Sequence, residues 1–336
     1  MPAPTGCSRI LQIHPTRRCN LRCLHCYSMS GPKERDELEV ALLRDAINDA
    51  ADAGFTVVSF SGGEPLMYDG LRQLLDHAHA REMLTTVTTN GTLLDRRRLD
   101  TLRGGADLLA ISLDGVPDSH NVIRASPRAF ERMSTRLDAV RATGIPFGFI
   151  FTLTQYNVNE LQWVADFAVR EGARLLQVHP LDDVGRARVK MAGEGPDEIE
   201  SACAFVEVAR LQEELGDQIV VHVDLIDRDF MREHPERVFA DDAAQDWSSL
   251  PFSEIVSPLV IEADGTVVPV QHGFAREFAL GSLHSSRLSE LMETWRAESY
   301  GRFRELCRRV FRETTRPAEL PFFNWYETLG RMAARA

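Results

Sequence analysis

From residue 10 to about residue 225 the chain alternates short β-branched runs with longer amphipathic ones. Apolar residues at alternate positions, or in brief unbroken runs, predict strands at 10–14, 56–61, 84–89, 108–113, 146–153 and 175–179. In the fifth of these, Phe147, Phe149 and Phe151 fall on one face. Between the strands, a period near 3.6 predicts helices at about 38–53, 70–82, 95–103, 127–143 and 158–171. Such regular alternation with short connections predicts an α/β fold, a parallel sheet with its helices outside. Six units suit an open, partial (β/α)6 barrel, in which reactive residues sit on the loops after the C-terminal strand ends.

A further helix is expected at about 196–216 and a further strand at 218–225. The polar stretch 228–253 reads as a link to a second region. There Pro258-Leu-Val-Ile-Glu-Ala-Asp-Gly-Thr-Val-Val-Pro269 places two β runs about Asp264-Gly265, a hairpin signal, and a helix is expected at about 287–311. The expected division is therefore a core domain at 1–225 and a C-terminal extension of hairpin plus helix at 226–336. Phe322, Phe323, Trp325 and Tyr326 are expected to pack on the body.

Composition narrows the partners. The 336 residues are 44% hydrophobic and 26% charged, an ordinary globular balance, and the net charge of −12 argues against nucleic acid or an anionic membrane as partner. The longest apolar stretches, at 106–113 and 144–153, are too short to span a bilayer. Residues 1–9 lack the apolar core of a signal peptide, so a cytoplasmic location is expected. Six cysteines in such a chain favour metal binding or catalysis over disulfides.

Three of the six lie in Cys19-Asn-Leu-Arg-Cys23-Leu-His-Cys26, just after the first predicted strand. Thiolates at this spacing on one loop can converge on a metal centre, and three ligands leave one coordination position open. A zinc site completed by a distant fourth ligand is the competing reading. The second strand runs into Ser61-Gly62-Gly63-Glu64-Pro65, where paired glycines permit close approach of backbone to a ligand and Glu64 can accept from an ammonium group. The third ends in Thr88-Thr-Asn90-Gly91 and the fourth in Ile111-Ser112-Leu-Asp114-Gly115. Ser112 and Asp114 can bond sugar hydroxyls or cap a turn. Arg124, in His120-Asn-Val-Ile-Arg124, can pair with a carboxylate, and Arg186, after the sixth strand, offers the same choice.

Taken in order along the strands, these motifs resemble the radical S-adenosylmethionine (SAM) superfamily over roughly residues 10–190. The resemblance implies that Cys19, Cys23 and Cys26 hold a 4Fe–4S cluster whose open iron takes SAM. It places His25 near the adenine and Gly62, Gly63, Glu64 and Pro65 at the SAM amino group. Ser112, with Asp114 close by, falls near the ribose, and Arg124 at the SAM carboxylate; Asn90 and Arg186 complete the expected cofactor contacts. It also implies an electron donor such as a flavodoxin or ferredoxin.

Ile261-Glu-Ala-Asp-Gly-Thr-Val-Val-Pro-Val270, with Leu280-Gly-Ser-Leu283 and 288–295, is similar to a SPASM or twitch extension. Many relatives with that extension carry auxiliary clusters there and mature ribosomal peptides. Their hairpin reads Asp-Gly-x-Val-x-Pro-Cys, and here Val270 stands at the Cys position. Only Cys203 and Cys307 lie downstream of the core, so a single cluster is expected. Cys203 is read as a core residue, and Cys7 has no assigned role. Gln271 and His272 are candidates to face the cavity, although a hairpin histidine is more simply a surface residue. The expected reaction is hydrogen abstraction in maturation of a ribosomally made peptide, by epimerisation, dehydrogenation or crosslinking, or tailoring of a small molecule such as a sugar or nucleoside; a non-catalytic iron–sulfur sensor would use the same cysteines but leave the SAM motifs unexplained. The 18 residues before Cys19 are too few for an attached leader-binding domain, which weighs against the first.

Overall fold

A computed structural model describes residues 9–240, 247, 249–316 and 320–335; Cys7 lies outside these. Seven strands, β1 (Ile10–Ile13), β2 (Val57–Phe60), β3 (Leu84–Thr89), β4 (Leu108–Ser112), β5 (Phe147–Leu153), β6 (Leu175–Pro180) and β7 (Val220–Val223), pair in chain order, each parallel to the next. The six predicted strands are present, and the further run at 218–225 supplies the seventh. A short pair of strands, β8 (Ile226–Asp227) and β12 (Phe322–Phe323), forms a separate antiparallel ribbon.

The helices cover one face of this sheet because their apolar stripes match it. Val40–Asp52 buries Leu43, Ala46, Ile47 and Ala50, the i, i+3, i+4, i+7 pattern of a core-facing helix. On β5, Phe147, Phe149, Phe151 and Leu153 are buried on the same side, and Phe149 meets Phe167 of the helix Leu161–Arg170 at 5.6 Å between ring centroids. The opposite face is mixed, with Ile10, Val57, Ala110 and Ile150 beside a set of polar residues toward the strand ends: Gln12 and His14 at β1, Thr88 on β3, Thr152 on β5 and His179 on β6. A filled barrel would carry branched apolar residues there. Here the sheet stays open, and the face left free is suited to a polar ligand.

The extension continues this sheet. β9 (Leu259–Ile261) pairs parallel with β1 and antiparallel with β10 (Thr266–Pro269), and β11 (Gly281–Ser282) ends the ten-stranded order β11-β10-β9-β1-β2-β3-β4-β5-β6-β7. The hairpin turn therefore stands beside the C-terminal end of β1, and the loop after β10 folds back to it, Gly273 N donating to Glu262 Oε1 at 2.6 Å. Its turn brings Val270 to φ +69°, a backbone region that β-branched residues rarely adopt, with the side chain buried.

Two predicted helices are divided. The run at 127–143 splits into Ala129–Ser134 and Leu137–Arg141, and that at 287–311 into Leu288–Glu298 and Tyr300–Thr314. Cys203 is exposed rather than core: the buried stripe of the helix Glu198–Leu215 runs through Ala204, Val208 and Leu211 and leaves position 203 off it. Cys307 is fully buried, and desolvation raises its thiol pKa. Of the tail aromatics, Phe323 and Trp325 are buried and Phe322 stacks on Phe205, while Tyr326 is exposed.

Ion pairs fasten the extension to the core, among them Arg9 with Glu254 and Arg287 with the buried Asp49. Asp49 accepts from Arg287 Nη2 at 2.6 Å and from the Ser289 backbone N–H at 3.0 Å. Burial opposes its ionisation, yet these hydrogen bonds outweigh it and hold the carboxyl below its ordinary value. The stabilisation is therefore full above about pH 4–5 and is lost as pH falls through the lowered pKa. Asp49→Ala is expected to lower stability to urea by about 1–2 kcal/mol at pH 7. Its deficit should shrink as pH falls, which parallel unfolding curves would show.

Candidate active site

The loop between β1 and the first helix carries the three cysteines and is held from every side by backbone bonds. Cys19 N donates to Gly31 O at 3.2 Å, and Leu24 N to Ile123 O at 2.8 Å. Arg186 N donates to Cys26 O at 2.9 Å, and its side chain reaches Cys23 O and Ser30 O, both at 2.7 Å. Arg186 is thus buried behind the loop and braces its carbonyls. Both terminal guanidinium nitrogens are engaged by loop carbonyls in this way.

Cys19 and Cys23 pack together with Leu21, and Cys26 packs against them. Each sulfur has a polar hydrogen-bond partner. Leu21 N (3.4 Å) and Asn90 Nδ2 (3.8 Å) face Cys19, Arg124 Nη1 (3.8 Å) faces Cys23, and the Ser28 hydroxyl lies 3.5 Å from Cys26. Desolvation pushes the Cys19 thiol up to about 12 and raises Cys23 as well, so ionisation in this pocket calls for bound positive charge. Two buried thiols with N–H donors aimed at their sulfurs, and a third, half-buried, beside a hydroxyl, form a donor set suited to an iron–sulfur cluster. Among the described residues no group of three or more His, Cys, Asp or Glu is placed to hold a metal ion.

The glycines of the β2 exit face protein rather than open space. A Cβ on Gly63 would lie 2.2 Å from Arg18 O, and one on Gly62, at φ +105°, 2.9 Å from His14 Cβ. Their lack of side chains lets Gly63 N donate to Thr16 O (2.9 Å) and Glu64 N to Arg18 O (2.8 Å), pinning this loop to the base of the cysteine loop. Glu64 is fully buried, and its carboxylate accepts from Leu66 N (3.2 Å), the Thr89 hydroxyl (2.8 Å) and Asn90 N (2.9 Å). Burial raises its pKa against these three bonds. Glu64 therefore ties the ends of β2 and β3 together, and its oxygens are engaged within the protein rather than offered to an ammonium group. Glu64→Gln replaces one acceptor oxygen by a donor beside an N–H or O–H. It should cost about 1–3 kcal/mol in thermal or urea unfolding, with Leu66→Met, which keeps the acceptors, nearly neutral.

Pro65 opens the short turn Pro65–Met67 that Glu64 caps. Asn90 bonds Asn20 (3.0 Å) and accepts from Thr92, so its amide is fixed toward Cys19. Ser112 ends β4 and is 7% exposed. Asp114 is fully buried: Arg124 Nε lies 2.5 Å from one carboxylate oxygen, and His25 Nε2 lies 3.8 Å from the other. Burial disfavours its charge, but Arg124, then His25 and His120, bring it down to about 2. Burial also lowers His25 and His120 to about 4 against the pull of Asp114, so both are neutral at pH 7. Asp114 thus anchors Arg124 instead of presenting a free carboxylate to a ribose.

A second cluster was not legible in the sequence. His14, 1% exposed at the end of β1, stacks on His272 at 4.7 Å and 13° between rings. Tyr27, directly after Cys26, stands edge-on to His272 at 5.3 Å, and its hydroxyl lies 3.1 Å from the Ser61 hydroxyl. His272 is therefore not a surface histidine; the parallel pairing of β9 with β1 carries it onto the cysteine loop. Gln271 turns toward Gly330 of the C-terminal helix Trp325–Ala333, where its amide lies 2.7 Å from the Cβ that residue lacks.

Residues 13–168 match the radical SAM superfamily. The chain is 34% identical over 181 residues to an Fe-coproporphyrin III synthase of Methanosarcina barkeri, covering 53% of this chain and 45% of that one. It is 28% identical over 272 residues to a PqqA peptide cyclase of Ruegeria pomeroyi, covering 80% and 68%. The chain spans about half the length of the first curated relatives it matches. Among solved structures it resembles Streptococcus suis SuiB bound to S-adenosylmethionine (TM-score 0.69, 17% identity, 88% and 68% covered). It also resembles anSMEcpe with bound AdoMet and a peptide (TM-score 0.67, 16% identity, 97% and 95% covered). These two structures share its fold.

Proposed function

We propose that this chain is a radical SAM enzyme, since residues 13–168 match that superfamily, and that Cys19, Cys23 and Cys26 hold the 4Fe–4S cluster the superfamily uses with S-adenosylmethionine. Held there, the cluster would supply the electron for reductive cleavage of the SAM sulfur–carbon bond, with methionine released, the chemistry that starts hydrogen abstraction from a substrate. The observation that carries the assignment is the trio of adjacent thiols, each with a polar hydrogen-bond partner.

The chain's own residues then have separable tasks. Gly62 and Gly63 set the height of the β2 loop above the cysteine loop, and Glu64 locks that loop to β3. To Ser112, at the end of β4, and the neutral His25 we assign the nucleoside part of SAM, from their positions in the motif order. The extension at 226–336 walls the β1 side through His272, over a core at 1–225. With Val270 at the hairpin, Cys203 exposed and Cys307 in the apolar core, we assign one cluster to the chain. Reconstituted protein should hold about four iron and four sulfide per chain; about eight would refute the single-cluster assignment.

For the substrate, a peptide is the reading best supported: a relative matched over 80% of the chain is a PqqA peptide cyclase. Epimerisation, dehydrogenation or crosslinking are the reactions in keeping with it. A small-molecule substrate is the second reading, favoured by the tetrapyrrole names of the relatives matching at 34% and 32% identity. An electron donor such as a flavodoxin or ferredoxin is proposed as partner. Deuterium transfer from labelled peptide or labelled small molecule into 5′-deoxyadenosine separates the two. Label from a tetrapyrrole, sugar or nucleoside, with none from any peptide, would overturn the first.

A further inference from the structure

We propose that Arg124 acts on the iron–sulfur cluster, its guanidinium donating to the Cys23 sulfur from an Asp114 anchor and raising the cluster's reduction potential. This rests on Cys23 being a cluster ligand.

The geometry is specific. Arg124 Nε lies 2.5 Å from Asp114 Oδ2, and Nη1 lies 3.8 Å from Cys23 Sγ. Both side chains are buried, at 10% and 0% exposure. The anchor is itself fixed: Asp114 N donates to His120 Nδ1 (3.1 Å), Thr152 N donates to Asp114 Oδ1 (3.3 Å), and Asn157 Nδ2 donates to Asp114 O (3.1 Å). Arg124 caps the helix Pro117–Ile123, and the same helix end receives Leu24 N from the cysteine loop. The guanidinium and the loop are thus tied to one point of the structure, which fixes their separation.

A thiolate-bound cluster gains negative charge when it takes an electron. A cation within reach of one of its sulfurs, in a buried and weakly polar setting, favours the reduced state, as do hydrogen bonds to the sulfurs generally. Among the described residues the partners of the Cys19 and Cys26 sulfurs are a backbone amide, a carboxamide and a hydroxyl, all neutral. Arg124 is the charged donor of the set. Removing it also leaves the Asp114 carboxylate unopposed nearby, and both changes push against reduction.

The test compares full-length wild type with Arg124→Gln and Arg124→Lys, reconstituted anaerobically and kept free of SAM. Iron content is measured, and the potential is read from the reduced-cluster EPR signal during a redox titration. Arg124→Gln should move the reduced-to-oxidised ratio about tenfold toward oxidised, a shift of ~59 mV to more negative potential for one electron. Arg124→Lys, which keeps the charge without the fork, should shift less in the same direction. If Arg124→Gln fails to retain iron, the lysine variant decides: no shift there overturns the inference. An unchanged potential in Arg124→Gln with wild-type iron content also overturns it, whatever happens to SAM affinity. A wild-type protein with no reducible cluster would instead overturn the proposal of the preceding subsection.

Discussion

Cys23→Ala is expected to abolish SAM cleavage, with 5′-deoxyadenosine falling at least about a thousandfold to the background of cluster-free protein, because a two-thiolate site cannot retain the cluster. Cys23 is 7% exposed and lies between Leu21, Cys19 and the Arg124 guanidinium. Its removal takes away one ligand and leaves Arg124 without its sulfur. The thiol is a modest part of a large core, so far-UV circular dichroism and the urea midpoint should change little. Cys203→Ala is the control, since that thiol is exposed on a helix and should leave iron content and product unchanged. Retained cleavage in Cys23→Ala would contradict the ligand assignment.

Gly63→Ala carries the second largest effect. The added methyl would stand 2.2 Å from Arg18 O and 2.8 Å from Arg18 C, backbone atoms that cannot swing aside. Relief requires the β2 loop to lift away from the cysteine loop, breaking the Gly63–Thr16 and Glu64–Arg18 hydrogen bonds. The expected cost is about 3 kcal/mol of stability, with iron retention falling at least about tenfold. Gly104→Ala is a fair comparison: its Cβ would meet nothing within 4 Å, and its φ of +70° carries the backbone penalty alone. Thermal unfolding and iron content of the two variants, measured side by side, check the distinction. Equal losses would show that the approach of the two loops is not what Gly63 provides.

Much of this architecture can be read from the chain without a structure, because each strand carries its own period and each strand end its own motif. The parallel order followed from alternation alone. The cysteine loop was legible since its three cysteines lie within eight residues. What escaped was every role set by a partner distant in sequence. Glu64 looks like a free acceptor until β3 delivers Thr89 and Asn90 to it. Gly63 looks like a ligand-facing glycine until the cysteine loop supplies Arg18 O. Arg186, Asp114 and Arg124 likewise read as ligand contacts and prove to hold protein groups. His272 could not be distinguished from a surface residue, because only the pairing of β9 with β1 stacks it on His14. Cys203 was misread for a local reason: the apolar stripe of its helix runs through Ala204, one residue away.

The central claim, that this chain uses three cysteines to cleave SAM, is tested most directly by a single reaction. The protein is reconstituted anaerobically with iron and sulfide, reduced with dithionite and supplied with SAM, and 5′-deoxyadenosine is quantified together with the cluster's EPR signal. The account predicts 5′-deoxyadenosine formation that depends on both the reductant and the cluster. A properly formed, reducible cluster that yields no 5′-deoxyadenosine would contradict it.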